Sequence, residues 1–313
     1  MLKLHFINVG DGDSILVEAL DGPKPFRMLV DTGRDDVEAS EGSTRLTASD
    51  YLQSLGIHSL DALVITHLHI DHFGGTRDLT GHVQIPSVYS GFFPDPSSVP
   101  ASCDAGASKS ERGLVECLNR WMQDVFILRQ QGAELHTVEE TVSIPSGGSL
   151  SVRVISPKPE ILAMQHVVFS ELCAGRPGGP LMYPASNSRN PGSLRVELQY
   201  AGRVIELSGD CFGAEWEEIA SHADLWKVPH HGDGRSVTEG VVRKVSPEIA
   251  VISCDKDYIA RKDRPSNQVC AWLEAVGAKV YFTDAYSLQG APPFRHRAVI
   301  AAIEADGTIT IED

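Results

Sequence analysis

The sequence lacks any long apolar run. None of its apolar stretches approaches the roughly 20 residues that a membrane-spanning helix requires, so we expect no membrane segment. Residues 1–6 resemble the beginning of a strand and do not show the charged, apolar and small-residue zones of a signal peptide. On these grounds we expect a cytoplasmic protein.

Cysteine is sparse and never closely paired. The chain has 6 cysteines in 313 residues and no CxxC pair, which excludes a zinc ribbon and a dithiol redox motif. In a cytoplasmic protein, scattered cysteines are expected to remain free thiols.

Basic residues are outnumbered by acidic ones. The chain has 42 aspartates and glutamates against 27 lysines and arginines, which gives a formal net charge of −15. A basic surface that binds nucleic acid regardless of its sequence is therefore not expected. An acidic substrate remains compatible with this balance, because bound metal ions carry positive charge of their own.

The chain does contain a succession of short strand patterns and helical patterns, separated by turn signals. Strands are predicted at residues 4–9, 14–18, 26–30, 62–66, 134–138, 151–155, 193–201, 203–208, 225–228, 249–253, 279–283, 298–304 and 308–311. Helices are predicted at residues 46–55, 111–131, 214–222, 237–245 and 267–276. This mixture predicts sheets covered by helices, an α/β or α+β layered sandwich.

The domain organisation follows from length and composition. A chain of 313 residues with 42% hydrophobic residues can bury a large core, and we predict a single domain over residues 1–313. Between about residues 87 and 189 the regular pattern weakens and loop-forming residues become frequent. We interpret this stretch as an inserted elaboration of the core, and long segments of this kind commonly act as lids or binding segments.

The most informative segment is residues 66–72, Thr-His-Leu-His-Ile-Asp-His, which follows an apolar strand pattern. It places His67, His69, Asp71 and His72 within six positions. Neutral imidazole and carboxylate are ligands that suit zinc, manganese or iron. A polar turn with solvated histidines is the alternative, but this spacing seldom arises by chance in a chain with only 12 histidines. The heptad therefore predicts a metal site.

Further candidate ligands come directly after other apolar strand patterns. These are Asp31, Asp210 and the adjacent pair His230 and His231. Side chains at the ends of neighbouring strands can converge on one edge of a sheet. Each signal is weak alone, since an aspartate at a turn is often a backbone cap and a histidine pair can be a loop feature. Together with the heptad, they favour a second metal ion.

In this combination and order, these residues resemble the metallo-β-lactamase superfamily. The resemblance extends to a subgroup, the C-terminal hydrolase domain of ComEC-type competence proteins, at residues 6–16, 190–194, 207–210 and 227–232. It covers roughly residues 1–86 and 190–284. The resemblance implies a four-layer αβ/βα sandwich with two divalent metal ions, zinc or manganese, at one edge of the two sheets.

The resemblance also implies a ligand set. By position in the motif, His67 and His69 would hold one metal ion, and Asp71 and His72 would hold the other. Asp210 would bridge the two ions through its two carboxylate oxygens.

The roles of the histidine pair stay open at this point. His230 or His231 would complete the second metal site, and the other would contact the substrate phosphate or protonate the leaving group. Asp71, His230 and His231 are therefore the candidate catalytic residues. Asp31 would orient a ligand histidine through its carboxylate, as partners behind metal ligands commonly do.

One departure from the superfamily bears on the substrate. Lactamases carry another ligand histidine between the heptad and the bridging aspartate, and here Asn190 occupies that region, as in the competence-type subgroup. The first metal ion would then have few protein ligands. We also expect Lys227, Ser236 and Arg264 as candidate substrate contacts, against the alternative that they are solvated surface residues.

The resulting prediction is a metal-dependent phosphodiesterase that acts on nucleic acid or nucleotides with a metal-activated water. A small-molecule phosphoester hydrolase, such as a phosphocholine esterase, is the alternative enzyme. A metal-stabilised binding or sensor module with little turnover is an alternative of another class, and the presence of both Asp71 and Asp210 disfavours it. The sequence does not identify the metal, the substrate, the role of the insertion or the oligomeric state.

Overall fold

The structure is a computed structural model that describes residues 1–37, 44–255, 263–285 and 297–312. A first β-sheet runs in the order β15-β14-β1-β2-β3-β4-β5-β6. Its strands are β1 (Leu2–Ile7), β2 (Ile15–Ala19), β3 (Phe26–Val30), β4 (Ala62–Ile65), β5 (Ser87–Ser90), β6 (Glu134–Thr137), β14 (Ala298–Ile303) and β15 (Ile309–Glu312). The strands from β3 to β6 are parallel to one another, and the remaining pairs are antiparallel.

A second sheet runs in the order β13-β12-β11-β10-β9-β8-β7. Its strands are β7 (Val142–Ile144), β8 (Ser151–Ile155), β9 (Arg195–Tyr200), β10 (Arg203–Leu207), β11 (Leu225–Lys227), β12 (Ile249–Ile252) and β13 (Lys279–Phe282). Here β10 to β13 are parallel, and β7 to β10 are antiparallel.

Helices cover the outer face of each sheet. They are α1 (Ala48–Ser54), α2 (Ile70–Phe73), α3 (Thr76–Thr80), α4 (Lys109–Gln130), α5 (Pro159–Cys173), α6 (Met182–Asn187), α7 (Gly213–Trp216), α8 (Glu239–Val245) and α9 (Asn267–Ala275), with short 3₁₀ turns at Gly179–Leu181 and Pro229–Gly232. Within the described ranges, no helix has the length and apolar character needed to cross a membrane.

Strand β4 shows why the sheets pack in this way. All four of its residues are buried. Ala62 and Val64 join the core between the two sheets, while Leu63 and Ile65 join the core beneath the helices of the first sheet. Because successive side chains of a strand point to opposite faces, a continuous apolar run of this kind is buried on both sides. A third core lies between the second sheet and its own helices. The predicted four-layer αβ/βα sandwich is therefore confirmed.

The stretch from residue 87 to 189 contributes to both sheets. Strands β5 and β6 extend the first sheet, β7 and β8 form one edge of the second, and α4 to α6 pack outside the first. Helices α5 and α6 and strand β7 were not among the predicted elements. Helix α5 begins with Pro159, whose fixed φ suits the first turn of a helix. In a sequence rich in loop-forming residues, the same proline instead indicates a break in regular structure. The predicted helix at 214–222 is wrong beyond its first turn, since α7 ends at Trp216.

Candidate metal centre

The predicted ligands meet where the same edges of the two sheets come together. In the first sheet, β1, β3 and β4 all end at this edge, and in the second sheet β10 and β11 do so. The backbone joins the two edges directly, since the amide of Leu194 donates to the carbonyl of Thr66 over 2.8 Å. Side chains from loops of both sheets therefore face one small volume.

The heptad folds as a short loop followed by one helical turn. After β4, Thr66 to His69 form the loop, and α2 then begins at Ile70. His67 and His69 consequently project from the loop, while Asp71 and His72 project from the first turn of the helix. Gly12 is required beside this turn, because a Cβ atom there would collide with the carbonyl oxygen of Asp71.

Asp210 lies at the centre of the cluster and presents its two oxygens to different histidines. Its Oδ1 lies 3.3 Å from Nε2 of His72 and 3.9 Å from Nε2 of His231. Its Oδ2 lies 4.0 Å from Nε2 of His67 and 3.7 Å from Nε2 of His230. A carboxylate whose two oxygens face different histidines is suited to bridge two cations.

The donor atoms fit divalent metal ions. Among the described residues, three groups of three potential ligands have donor atoms within 4.8 Å of one another: His67, His72 and Asp210; Asp71, His72 and His231; and Asp13, Asp31 and His72. Nε2 of His72, Nε2 of His231 and Oδ1 of Asp210 are buried and have no hydrogen-bond partner among the described residues. Buried polar atoms normally find partners, so converging atoms without one indicate that a ligand completes them.

His69 lies beside His67, at the more solvent-exposed side of the cluster. Its Nδ1 lies 2.9 Å from Nε2 of His67. His69 and Asp71 are half-buried, whereas His67, His72 and Asp210 are buried. A substrate would therefore approach from the side of His69 and Asp71.

His230 and His231 lie on different sides of Asp210. Nε2 of His231 is 3.7 Å from Oδ2 of Asp71, and its Nδ1 faces the carbonyl of Ser253 at 3.2 Å. Nε2 of His230 is 3.1 Å from Nδ2 of Asn190, which also lies 3.4 Å from Oδ2 of Asp210. His231 thus groups with the ligands of the second site, and His230 and Asn190 flank the first.

Asp31 lies behind the cluster, against His72. Its Oδ2 is 2.7 Å from Nδ1 of His72, and it accepts hydrogen bonds of 2.7 Å from the amide and from the hydroxyl of Thr66. This arrangement fixes the orientation of the His72 ring and leaves Nε2 directed at Asp210. Asp31 itself has a φ of 58°, a conformation that is uncommon for residues other than glycine.

Electrostatics separates the histidines into two classes. Burial, followed by the nearby His72, holds the pKa of His67 well below its usual range, and burial also lowers the pKa of His69 to about 3 and of His230 to about 4. For His72 burial acts in the same direction, but the carboxylates of Asp210 and Asp31 outweigh it and raise the pKa well above its usual range. Metal binding at His72 therefore displaces a proton.

The acids at the centre stay ionised despite their burial. Burial opposes ionisation of Asp210, but the surrounding imidazoles of His72, His230 and His231 keep its pKa well below the usual range. The pKa of Asp71 is lowered in the same way, because the imidazoles of His231, His72 and His69 outweigh its burial. Two ionised carboxylates beside the neutral imidazoles of His67, His69 and His230 form a donor set that attracts divalent cations.

The three predicted substrate contacts take different positions. Lys227 is fully buried, and its ammonium group binds the carboxylate of Asp13 and the carbonyl of Gly209, so it is not presented to a substrate. Ser236 is also buried, with its hydroxyl against Nδ1 of His230. Arg264 donates to Asp233 over 2.8 Å and contributes positive charge near His230.

Sequence reasoning missed two charged residues at this centre. Asp13 lies beneath His72 and His231 and was not among the predicted site residues. Arg189 is buried and donates to the carbonyl of Leu68 over 3.1 Å, within the heptad. Asp13 does not directly follow an apolar strand as Asp31 follows β3, since it lies in the loop between β1 and β2, two residues before β2 begins at Ile15. No pattern in the sequence pointed to Arg189.

Comparisons with known proteins agree with this geometry. The model of the family described as the metallo-beta-lactamase superfamily matches residues 7–255. The chain is 24% identical over 298 residues to the ComE operon protein 3 of Bacillus subtilis, covering 90% of this chain. It spans only 32% of that protein's length. The predicted resemblance to ComEC-type proteins is confirmed at the level of the sequence.

Solved structures with a similar shape are more distant. The metallo-beta-lactamase fold protein YhfI from Bacillus subtilis has a TM-score of 0.47 and 10% identity, covering 90% of this chain and 96% of that one. The short form of human tRNase Z has a TM-score of 0.40 and 13% identity, covering 90% of this chain and 92% of that one.

Proposed function

This chain belongs to the metallo-beta-lactamase superfamily, and from that premise we propose that it is a metal-dependent hydrolase that cleaves phosphodiesters in a nucleic acid or a nucleotide. The observation that carries this proposal is the arrangement around Asp210. One oxygen faces His72 and His231, and the other faces His67, His230 and the amide of Asn190. With an asparagine in place of a further histidine, the first site keeps room for an oxygen of the substrate.

The resemblance supplies the division of the ligands between the two ions, and the geometry supports a choice between His230 and His231. His67 and His69 would hold the first ion, Asp71, His72 and His231 the second, and Asp210 would bridge them. His231 is preferred to His230 as the ligand because its Nε2 is buried, has no hydrogen-bond partner in the described part of the chain and lies 3.7 Å from Oδ2 of Asp71. Zinc and manganese both suit this donor set.

When bound, two divalent ions supply a water of lowered pKa and stabilise the negative charge on phosphoryl oxygens. The chain's own residues then orient the substrate. His230 is held by the hydroxyl of Ser236 at Nδ1 and lies beside Asn190 at Nε2. Burial keeps this ring neutral, so it carries a single N–H. In the tautomer in which Nδ1 accepts from the Ser236 hydroxyl, Nε2 carries that N–H and can donate it to a phosphoryl or leaving-group oxygen. Asp31 keeps His72 directed at Asp210.

The test is hydrolysis of bis(p-nitrophenyl) phosphate, run beside a single-stranded DNA oligonucleotide, with Mn²⁺ or Zn²⁺ supplied. We expect metal-dependent turnover in the wild-type protein and turnover no higher than the metal-free rate in Asp210→Ala. Asp306→Ala, which removes an exposed carboxylate in a distant turn, is the matched control and should keep full activity.

The DNA reaction separates two kinds of phosphodiesterase. Cleavage of the oligonucleotide supports a nuclease, whereas turnover of the small ester alone supports a small-molecule phosphoester hydrolase, which the net charge of −15 would favour. A protein that binds two equivalents of metal and hydrolyses neither compound would overturn the proposal.

A further inference from the structure

Asp13 is a buried carboxylate directly beneath the second metal site. It is 1% exposed, and its loop is fixed by two backbone hydrogen bonds, from the amide of Asp13 to the carbonyl of Asp71 and from the amide of Gly33 to the carbonyl of Asp13. Its Oδ2 lies 3.7 Å from Nδ1 of His72, and its Oδ1 lies 3.9 Å from Nδ1 of His231. The carboxylate therefore sits behind two imidazoles whose other nitrogens face Asp210.

Lys227 neutralises this carboxylate from the second sheet. Its side chain is 0% exposed, and its ammonium group forms an ion pair with Asp13 and donates to the carbonyl of Gly209 over 3.0 Å. Lys227 is the last residue of β11, just ahead of the turn that carries His230 and His231. The pair thus joins the two sheets at the point where their loops supply metal ligands.

We infer that the buried Asp13–Lys227 ion pair sets the affinity of the second metal site. Both residues are positioning residues, which act on the metal through His72 and His231. This inference rests on the metal site of the proposed function, but not on the identity of the substrate. Because the charges of Asp13 and Lys227 cancel, the affinity of the second site for a cation is set by its metal ligands alone. Breaking the pair leaves one uncompensated charge close to the metal.

The two ways of breaking the pair have opposite consequences. In Asp13→Asn the Lys227 ammonium remains, and its positive charge repels a divalent ion in an environment where charges are poorly screened. In Lys227→Met the Asp13 carboxylate remains, and its negative charge attracts the ion. A pair that only holds the two sheets together would instead lower metal affinity in both variants, because either loss would loosen the ligand geometry.

The experiment is a titration of the metal-free protein with Mn²⁺ alone, in which free Mn²⁺ is measured by electron paramagnetic resonance. The second site has more protein ligands than the first, so it should fill first in the titration. We expect Asp13→Asn to weaken binding at this site by about tenfold or more, the size of effect seen when partners behind metal ligands are removed. Lys227→Met should bind the ion at this site more tightly than the wild-type protein. The double variant Asp13→Asn/Lys227→Met should return to within about threefold of wild type, because it carries no net charge at this position.

The matched control is Glu18→Gln, which removes another buried carboxylate that is paired with a cation. Glu18 contacts Arg27 at 2.8 Å and His5 at 3.2 Å and has no contact with the metal ligands. The metal affinities of the Glu18→Gln variant should equal those of the wild-type protein. Circular dichroism checks that each variant is folded, and the double variant keeps the test valid if a single variant is not, because replacing both members of a buried pair is often tolerated.

A fall in affinity in both single variants, or a double variant as weak as Asp13→Asn, would overturn the inference. Because no substrate is present, these outcomes are independent of whether the protein hydrolyses phosphodiesters.

Discussion

His230 and His231 are adjacent in sequence and both have left-handed backbone torsions, with φ of 50° and 56°. Residues other than glycine rarely adopt this conformation, and each costs on the order of 1 kcal/mol. In an extended strand, neighbouring side chains would point to opposite faces. The strained turn instead brings both Nε2 atoms to Asp210, at 3.7 Å and 3.9 Å from its two oxygens. The left-handed torsions therefore position both imidazoles beside Asp210.

The different surroundings of these two rings lead to a prediction about metal content. His231→Ala should bind one equivalent of Mn²⁺ where the wild-type protein binds two, because it removes a ligand of the second site. His230→Ala should still bind two equivalents but lose phosphodiester turnover, because it removes a group that faces the substrate. Metal analysis after gel filtration and steady-state kinetics measure both. Loss of one equivalent in His230→Ala, with two retained in His231→Ala, would reverse the assignment.

At this scale, the residues that the sequence predicted as ligands lie in one cluster in the structure, and their metal binding stays a prediction. The heptad and the strand-end positions of Asp31 and Asp210 could be identified because each follows an apolar run. The difference between His230 and His231 could not be predicted, since it depends on backbone torsions that no residue pattern specifies. Lys227 was expected as a substrate contact or a solvated residue, because lysine side chains are usually exposed. In the structure it is buried against Asp13, which is 214 residues away along the chain.

Among the elements, helix α4 is the longest part of the stretch from residue 87 to 189 and is stabilised at its start by a capping box. The hydroxyl of Ser108 accepts from the amide of Glu111 over 3.2 Å, and the Glu111 carboxylate accepts from the amide of Ser108 over 2.7 Å. Further along, the helix buries Leu114, Leu118 and Trp121 against the first sheet. The cap thus supports one outer layer of the sandwich.

Ser108→Ala should lower the free energy of unfolding by about 1 kcal/mol, because the amide of Glu111 in the first turn of the helix loses the hydroxyl that accepts its hydrogen bond. Urea unfolding measures this change. Ser108→Thr keeps a hydroxyl in the same place and should retain most of the stability, and Mn²⁺ binding should be the same in both variants. An equal loss in both would show that the cap hydrogen bond is not the cause.

The β9–β10 hairpin carries a buried acid with a raised pKa. Burial raises the pKa of Glu206 to about 7, although the guanidinium of Arg195, 3.2 Å away, partly opposes this. Glu197 lies directly opposite on β9 and adds to the increase. Since the folded state holds this proton more tightly than the unfolded chain, the stabilisation is present below about pH 4.5 and is lost as the pH rises through 7.

Glu206→Gln should remove this pH dependence, because the amide stays neutral in both states. Relative to the variant, the wild-type protein should lose on the order of 1–3 kcal/mol of unfolding free energy between pH 5 and pH 8. Urea unfolding of both proteins at the two pH values gives the difference. A wild-type protein that gains stability relative to the variant over this range would contradict the raised pKa.

Elements with a clear apolar period were predicted to within a few residues, as β3 and β8 show. The failures have physical causes. Strand β7 has only three residues and gains its stability from pairing with β8, which a local pattern cannot reveal. The pairing of β5 with β4 and with β6, which makes part of the insertion integral to the first sheet, is likewise a tertiary property.

At the scale of the whole molecule, the metal centre is a junction between the two halves of the sandwich. Asp13, Asp31 and the heptad come from the first sheet, whereas Asp210 and the histidine pair come from the second. The chain also carries an excess of acidic residues, with a net charge of −15. Repulsion within such a protein opposes compaction. Divalent cations bound between the sheets would offset part of this repulsion and hold the two edges together.

Removal of the metal should therefore destabilise the entire fold and not only the site. A ligand that binds the native state alone adds about 2.7 kcal/mol when its free concentration is 100 times its Kd. We expect EDTA to lower the Tm of the metal-loaded wild-type protein by several degrees, in a single transition measured by scanning calorimetry. Asp210→Ala, which lacks the bridging carboxylate, should respond much less to EDTA. A wild-type Tm that is insensitive to EDTA would mean that the two sheets hold together without the ions, and that the buried cluster is satisfied by its own ion pairs.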